Sequence, residues 1–497
     1  MLRKVRITLA AVFFILITLL FLDFTGTLHH WLGWMAKIQF LPAVLALNVV
    51  VVAVLILLTL VFGRIYCSVI CPLGVMQDIM AWFGRKHKKN RYSYSKEVRW
   101  LRYSMLVVMI VALVAGVGSL VALLAPYSSY GRIAANLFQP VYELGNNVLA
   151  FFAERMDSYA FYTTDVWVKS LPTFLIAAVT FVVLFVLAWR NGRTYCNTIC
   201  PVGTVLGFFA RFSWFKIRFD ADKCRQCSKC SKNCKAACID YKTHSVDYSR
   251  CVVCGNCLTE CEFDALKYGV GRGLRSEKQA SRDEGSETVD ISKRSFLLAT
   301  AMATTAVLAQ EKKKVDGGLA KIEDKVMPER QTVITPPGSR SAKNFFQHCT
   351  GCQLCVSKCP NEVLRPSDDL MTMMQPVMSY ERGYCRPECN RCSTVCPTGA
   401  IDFISKADKS STQIGHAVWV KKNCLPVTDG VECGNCARHC PTGAIEMVPL
   451  DENDDESPMI PAVNEARCIG CGACENLCPA RPFSAIYVEG NEVHRTV

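Results

Sequence analysis

Twenty-nine cysteines stand in this chain of 497 residues, and their spacing is the first chemistry it offers. Two runs lie near the middle: Cys224, Cys227, Cys230 and Cys234, then Cys251, Cys254, Cys257 and Cys261. Four lie in the last third: Cys349, Cys352, Cys355 and Cys359; Cys385, Cys389, Cys392 and Cys396; Cys424, Cys433, Cys436 and Cys440; and Cys468, Cys471, Cys474 and Cys478. The recurring pattern Cys-x2-Cys-x2-Cys-x3-Cys is the spacing that wraps a 4Fe-4S cube in thiolates. A single cysteine quartet would also suit tetrahedral zinc. Six tandem groups that all keep three residues between the third and fourth cysteine point instead to six 4Fe-4S clusters.

Paired runs of this kind exchange their last ligand, so that three thiolates hold one cube and the fourth holds its neighbour. In the middle region that assigns Cys224, Cys227, Cys230 and Cys261 to one cluster, and Cys251, Cys254, Cys257 and Cys234 to the other. Cys238 is left over, four residues after Cys234, where Lys235 replaces the usual proline. It is expected to pack beside the cube as a small hydrophobe, with a swap for Cys234 as the alternative. In the distal region the second and third groups have lengthened first gaps while the first and fourth do not. That symmetry suggests nested pairing, first with fourth and second with third; sequential pairing is the alternative.

Four further cysteines form two near-duplicate turns, Tyr66-Cys67-Ser68-Val69-Ile70-Cys71-Pro72-Leu73-Gly74 and Tyr195-Cys196-Asn197-Thr198-Ile199-Cys200-Pro201-Val202-Gly203. Cys67, Cys71, Cys196 and Cys200 could ligate a metal or cluster jointly, act as redox dithiols, or stabilise helix ends. The eight histidines all fall outside the long apolar runs, which argues against an axially ligated haem, and there is no Cys-x-x-Cys-His for covalent haem. His29 and His30 read as interfacial residues. No nucleophile triad, phosphate-binding loop or dinucleotide fingerprint appears, so no catalytic residue is assigned.

These ligands must be held by something, and composition says what. The chain is 51% apolar, too rich in core-forming residues for disorder. Four apolar runs, at residues 7–22, 41–62, 105–125 and 172–189, approach the ~20 residues that cross a bilayer as helix. The segment 63–104 carries nine Lys or Arg against two acids, whereas 127–170, read as an external loop, carries three against four. By the positive-inside rule the former is cytoplasmic, with both Cys-x3-Cys-Pro turns. The net charge of +13 is thus largely topological, and nucleic acid is not expected as a partner. The expected organisation is a four-span helical membrane unit (1–219), a two-cluster α+β bacterial-type ferredoxin domain (220–270), a linker (271–338) and a four-cluster ferredoxin domain (339–497). Within the linker, Lys293 and Arg294 lead into the apolar run 296–309, which has the form of an export signal with lysine in the first arginine's place. It is a candidate fifth crossing, with Val307-Leu308-Ala309 as a candidate cleavage site, and would put the distal domain in the periplasm. The acidic stretch 451–456 reads as a solvated insertion.

Apolar spans ending in Cys-x3-Cys-Pro and followed by a double ferredoxin run resemble NapH, a membrane ferredoxin-type protein, and its relatives MauN and NosR. The distal four-motif region, with its long gap from Cys424 to Cys433 and its ending Cys478-Pro479 followed by Ala485-Ile486, resembles NapG and MauM. The whole is similar to a NapH and NapG fusion. That resemblance implies an inner-membrane quinol dehydrogenase module passing electrons from menaquinol or ubiquinol to a periplasmic reductase or cytochrome. The alternatives are a NosR-like redox maturation factor for a periplasmic metalloenzyme and a cytoplasmic ferredoxin-linked energy-coupling subunit.

Overall fold

The computed structural model of the chain describes residues 2–23, 26–87, 92–158, 160–270, 323–451, 453 and 457–496. The export-like pair Lys293 and Arg294, the run 296–309, the candidate cleavage site and most of the acidic stretch 451–456 lie outside the described residues.

Among the described residues, the first 210 positions are mainly helical. Helix α1 (Leu2–Leu22) opens the unit. After short helical turns, Asn48 caps α2 (Val49–Phe62), its side chain accepting from the Val51 amide at 3.2 Å. Then come α3 (Tyr66–Val69), α4 (Pro72–His87) and α5 (Arg99–Ala115). Gly116, with φ +74°, ends α5, and the chain restarts as α6 (Gly118–Leu124) and α7 (Pro126–Ile133). A π-helical stretch, Ala134–Phe138, leads into α8 (Gln139–Arg155). The unit closes with α9 (Leu171–Asn191), α10 (Thr194–Thr198) and α11 (Pro201–Ala210).

Two expectations change here. Among the described residues, only α1 and α9, at 21 residues each, are both long and apolar enough to cross a membrane. The runs 41–62 and 105–125 are broken by Asn48 and Gly116, and a 14-residue α2 reaches only ~21 Å against a ~30 Å hydrocarbon core. The stretch 127–170, expected to be a loop, begins as buried helix instead. Several of the polar atoms that lower its hydropathy are used inside: the Tyr130 hydroxyl meets Thr18 Oγ1 at 2.5 Å, and Arg132 Nη1 donates to the Ala122 carbonyl at 2.6 Å. Tyr127, Tyr130 and Arg132 are all buried.

Among the described residues, the cysteine-rich regions contain only two-stranded antiparallel sheets. In the proximal one β1 (Phe215–Phe219) pairs with the later β4 (Leu266–Val270), around the hairpin β2 (Ile239–Asp240) and β3 (Ser245–Val246). In the distal one β5 (Leu364–Pro366) pairs with β6 (Pro376–Met378), β7 (Thr412–Trp419) with β10 (Ile486–Thr496), and β8 (Ile445–Pro449) with β9 (Met459–Val463). Isolated pairs of strands are marginal in water. Their cores are instead lined by cysteine, so ligation is what such domains use in place of a large apolar core.

The two ferredoxin regions dock at opposite ends of the long helices. Arg3, at the start of α1, donates to Thr259 of the proximal region at 3.0 Å, while Asp23, just past its end, pairs with Lys358 of the distal region at 3.0 Å. For α9, Ser170 at its start bonds Asp368 at 2.7 Å, and the Arg193 amide beyond its end donates to the Lys235 carbonyl at 2.8 Å. A helix of 21 residues separates the two attachments by ~31 Å.

Candidate functional site

Four cavities of closely matched size, 320 to 360 Å³, are each walled by four cysteines and apolar side chains. One is lined by Cys224, Cys227, Cys230 and Cys261. In the distal region one gathers Cys349, Cys352, Cys355 and Cys396, the next Cys385, Cys389, Cys392 and Cys359, and another Cys424, Cys433, Cys436 and Cys478. The remaining cysteines group the same way: Cys257 faces Cys251, Cys254 and Cys234, and Cys440 faces Cys468 and Cys471. The nested distal pairing is therefore corrected: the first motif exchanges its last cysteine with the second, and the third with the fourth. The long gap before Cys433 is taken up locally by the short helix Leu425–Thr428, so it carries no information about partners.

The donor sets fit anion-bearing iron clusters. Burial first, then neighbouring thiols, pushes Cys230 and Cys436 up to about 11 and Cys352 and Cys471 up to about 12. Four thiols gathered this closely cannot all ionise unless a cation compensates them, as bound iron would. Among the described residues no group of three or more His, Cys, Asp or Glu is drawn together tightly enough for one metal ion.

Cys238 is buried, with its sulfur 3.5 Å from that of Cys234. The hydrogen bond between them lowers the Cys234 thiol and raises that of Cys238, which also hydrogen-bonds Cys251. Lys235, in the place of proline, reaches Asp78 of α4 at 2.6 Å. Sequence reading noted the departure at Lys235 but could not supply its partner, 157 positions away in the sequence.

The two Cys-x3-Cys-Pro turns prove to be one structure repeated and set face to face. Gly63 and Gly192, with φ +79° and +70°, turn the chain back from α2 and α9. Arg64 and Arg193 follow, then α3 and α10 carrying Cys67 and Cys196. Cys71 and Cys200 stand at the N-termini of α4 and α11. Each arginine clasps the other repeat: Arg64 Nη2 donates to the Cys196 carbonyl at 3.2 Å, and Arg193 Nη1 to the Cys67 carbonyl at 2.6 Å. A side chain on Gly74 or Gly203 would fall on those same carbonyls, which explains the glycine two places after each Cys-Pro. The four thiols are buried and free and lie within electrostatic reach of one another. His29 and His30, the interfacial candidates, end a short helical turn near α1 and join none of the cages.

Comparison with known proteins finds iron-sulfur families along the chain. A family described as "4Fe-4S binding domain" matches residues 44–91 and 171–220, and families described as "4Fe-4S dicluster domain" match 247–363, 348–401 and 431–481. The ferredoxin-type protein MauM of Paracoccus denitrificans is 33% identical over 169 residues, 32% of this chain and 73% of MauM. NapH of Escherichia coli is 26% identical over 234 residues, 46% of this chain and 68% of NapH. YccM of the same organism, named a putative electron transport protein, is 25% identical over 226 residues, 44% of this chain and 55% of YccM. Among the curated relatives it matches, the chain spans as little as 39% of the relative's length. No solved structure matches it.

Proposed function

Because the chain belongs to the MauM ferredoxin-type family and is a NapH/MauM-like ferredoxin fusion, an iron-sulfur electron-transfer protein, we propose that it is a multi-pass inner-membrane module that draws electrons from the quinol pool and relays them to a periplasmic reductase or cytochrome. Each cluster supplies one-electron redox chemistry, at a potential tuned by its thiolate ligands and the hydrogen bonds to them. The proposed ligands are the six cysteine quartets above, with residues 220–270 cytoplasmic and 339–497 periplasmic.

One observation carries this reading: the ferredoxin regions attach to opposite ends of α1 and α9, on a helical unit whose outer surface is apolar. Val49, Val54, Leu57, Val107, Val111, Val114, Leu175 and Val179 are all exposed. An outward apolar band of this extent suits lipid and not water. The protein's own contribution is to hold successive cages close. In the distal region the Cys385 amide donates to the Cys471 carbonyl at 2.9 Å, joining two cages, and Cys474 faces Cys436 of the next. Cys355 faces Cys392 in turn, so four cages form a line that starts at the helical unit and ends at Cys424, Cys433, Cys436 and Cys478. The maturation reading would need thiols that a client can reach, and Cys67, Cys71, Cys196 and Cys200 are buried.

The test is titration of a reduced quinol analogue into anaerobic membranes containing the protein, with cluster absorbance as the readout. Bleaching is expected; intact clusters that do not bleach exclude quinol as donor.

A further inference from the structure

A relay between the two faces has a gap to cross. Gly255, beside Cys254 and Cys257, lies against Arg3 of α1, and a side chain on Gly131, which packs against Phe21 of α1, would fall on the Cys352 carbonyl. The proximal and distal cages thus attach 18 residues apart along α1, ~27 Å at 1.5 Å per residue. Transfer by tunnelling falls off exponentially with distance, so a station midway matters greatly.

The four-thiol site lies in that gap and touches both neighbours. Toward the proximal cage, Arg64 Nη1 donates to the Ser249 carbonyl at 2.9 Å, two residues before Cys251, and Asn197 Nδ2 to the Ala236 carbonyl at 3.2 Å, two residues after Cys234. Toward the distal cage, the hydroxyl of Tyr195, next to Cys196, donates to the Leu124 carbonyl at 3.4 Å. Arg132 sits within electrostatic reach of both Tyr195 and Cys352.

The surroundings call for an anion. Arg64 Nη2 lies 3.7 Å from Cys67 Sγ, and the Gly203 amide, at the start of the ten-residue α11, points to Cys200 Sγ at 3.4 Å. Arg193 Nη2 is buried with no hydrogen-bond partner, and the buried Gln77 side chain hydrogen-bonds the Cys196 thiol, favouring its charged form. Leaving such a guanidinium donor unpaired is costly. Two guanidinium groups and two helix N-termini around four thiols would balance the negative charge of a tetrathiolate cluster.

We infer that Cys67, Cys71, Cys196 and Cys200 together hold one further iron-sulfur cluster, a seventh centre that passes single electrons between the Cys251 cage and the Cys349 cage. Each passage oxidises one centre by one electron and reduces the next by one, with no bond made and no proton required. The inference rests on the relay reading for its direction across the membrane, but the cluster itself does not depend on quinol or on topology.

Two measurements on the full chain separate these. Iron and acid-labile sulfide are determined on anaerobically purified protein in detergent, where six cubes account for about 24 irons. The wild type is expected to exceed that, and Cys71→Ser with Cys200→Ser to lose only the excess. Iron no higher than six cubes require, or zinc in its place, overturns the inference. Should the double serine variant fail to fold, Gln77→Leu serves: it is expected to keep its iron but shift the redox titration or EPR signal of one centre, and an unaltered set of signals overturns the assignment. In proteoliposomes loaded with dithionite, reduction of external cytochrome c is expected to fall at least tenfold in the serine variant. Unchanged flux overturns the relay role. Absent flux in the wild type with excess iron present refutes the topology and not the cluster.

Discussion

Asp78 is where the helical unit and the proximal ferredoxin region are tied together, and Asp78→Asn is the sharpest probe of that joint. Its carboxylate, only 11% exposed, meets Arg193 Nε at 2.7 Å, Arg6 Nη1 at 2.8 Å and Lys235 Nζ at 2.6 Å. These come from three places: the turn before Cys196, the start of α1, and the loop after Cys234. Removing one member of a buried ion pair costs roughly 3 to 5 kcal/mol, because the partner charge stays buried and uncompensated. Asparagine keeps one acceptor oxygen, so the lower end, about 3 kcal/mol, is expected, which is roughly a 150-fold weakening of the dock. Heating detergent-solubilised protein while following cluster absorbance and limited proteolysis would register this as earlier bleaching and early cleavage in the proximal region. Adding Lys235→Met removes one of the stranded cations and is expected to recover part of the loss, a non-additivity proper to groups in direct contact. Wild-type bleaching temperature in Asp78→Asn, or a double variant as impaired as the sum of the singles, would refute the idea that this carboxylate neutralises three buried cations.

Other outcomes follow from the same contacts. Cys238→Ala should leave the iron content unchanged and shift the potential of one proximal cluster by removing the hydrogen bond with Cys234, whereas Cys234→Ser should cost a cluster; EPR potentiometry distinguishes them. Gly203→Ala drives a methyl onto the Cys196 carbonyl and should destabilise the helical unit by ~1 to 3 kcal/mol or more, read as lower yield and lower thermal stability. Burial holds His494 down to about 4 from its usual 6.5. The unfolded chain therefore binds the proton first as pH falls from 6.5 towards 4, and stability is lost across that window. About 2 kcal/mol should go between pH 7 and 5, measured by urea unfolding, and His494→Gln should flatten the slope. Asp23→Asn should strand Lys358 and loosen the distal dock; an unchanged protease pattern at that junction would argue against it.

The individual cages were legible because ligand spacing is local chemistry: three cysteines two residues apart, and a fourth after three more, bring their own thiols together wherever the loop is placed. Pairing between distal motifs was not legible, because the longer first gaps at Cys389 and Cys433 look like a symmetry and are only local insertions. The helical stretch after Pro126 was hidden for a different reason. Tyr127, Tyr130 and Arg132 read as polar, yet each is buried, and contacts such as Tyr130 to Thr18 lie more than a hundred residues apart in the chain. The two Cys-x3-Cys-Pro turns were visible as duplicates, but the swapped clasp of Arg64 and Arg193 was not. An arginine three residues before a cysteine does not reveal that its hydrogen bond goes to the other repeat.

What the order of amino acids determined alone is therefore the chemistry of the parts: sulfur ligands for cubes, apolar runs of membrane-helix character, and a Cys-x3-Cys-Pro turn used twice; that only two of the four runs form helices of spanning length was decided by the fold. Spacing and composition act over a few residues, and few-residue rules suffice to read them. Only the tertiary structure decided how the parts line up, with one ferredoxin region at each end of α1 and four buried thiols between them. That arrangement depends on long-range contacts among Arg64, Ser249, Asn197, Ala236, Tyr195 and Leu124, whose geometry is set by packing.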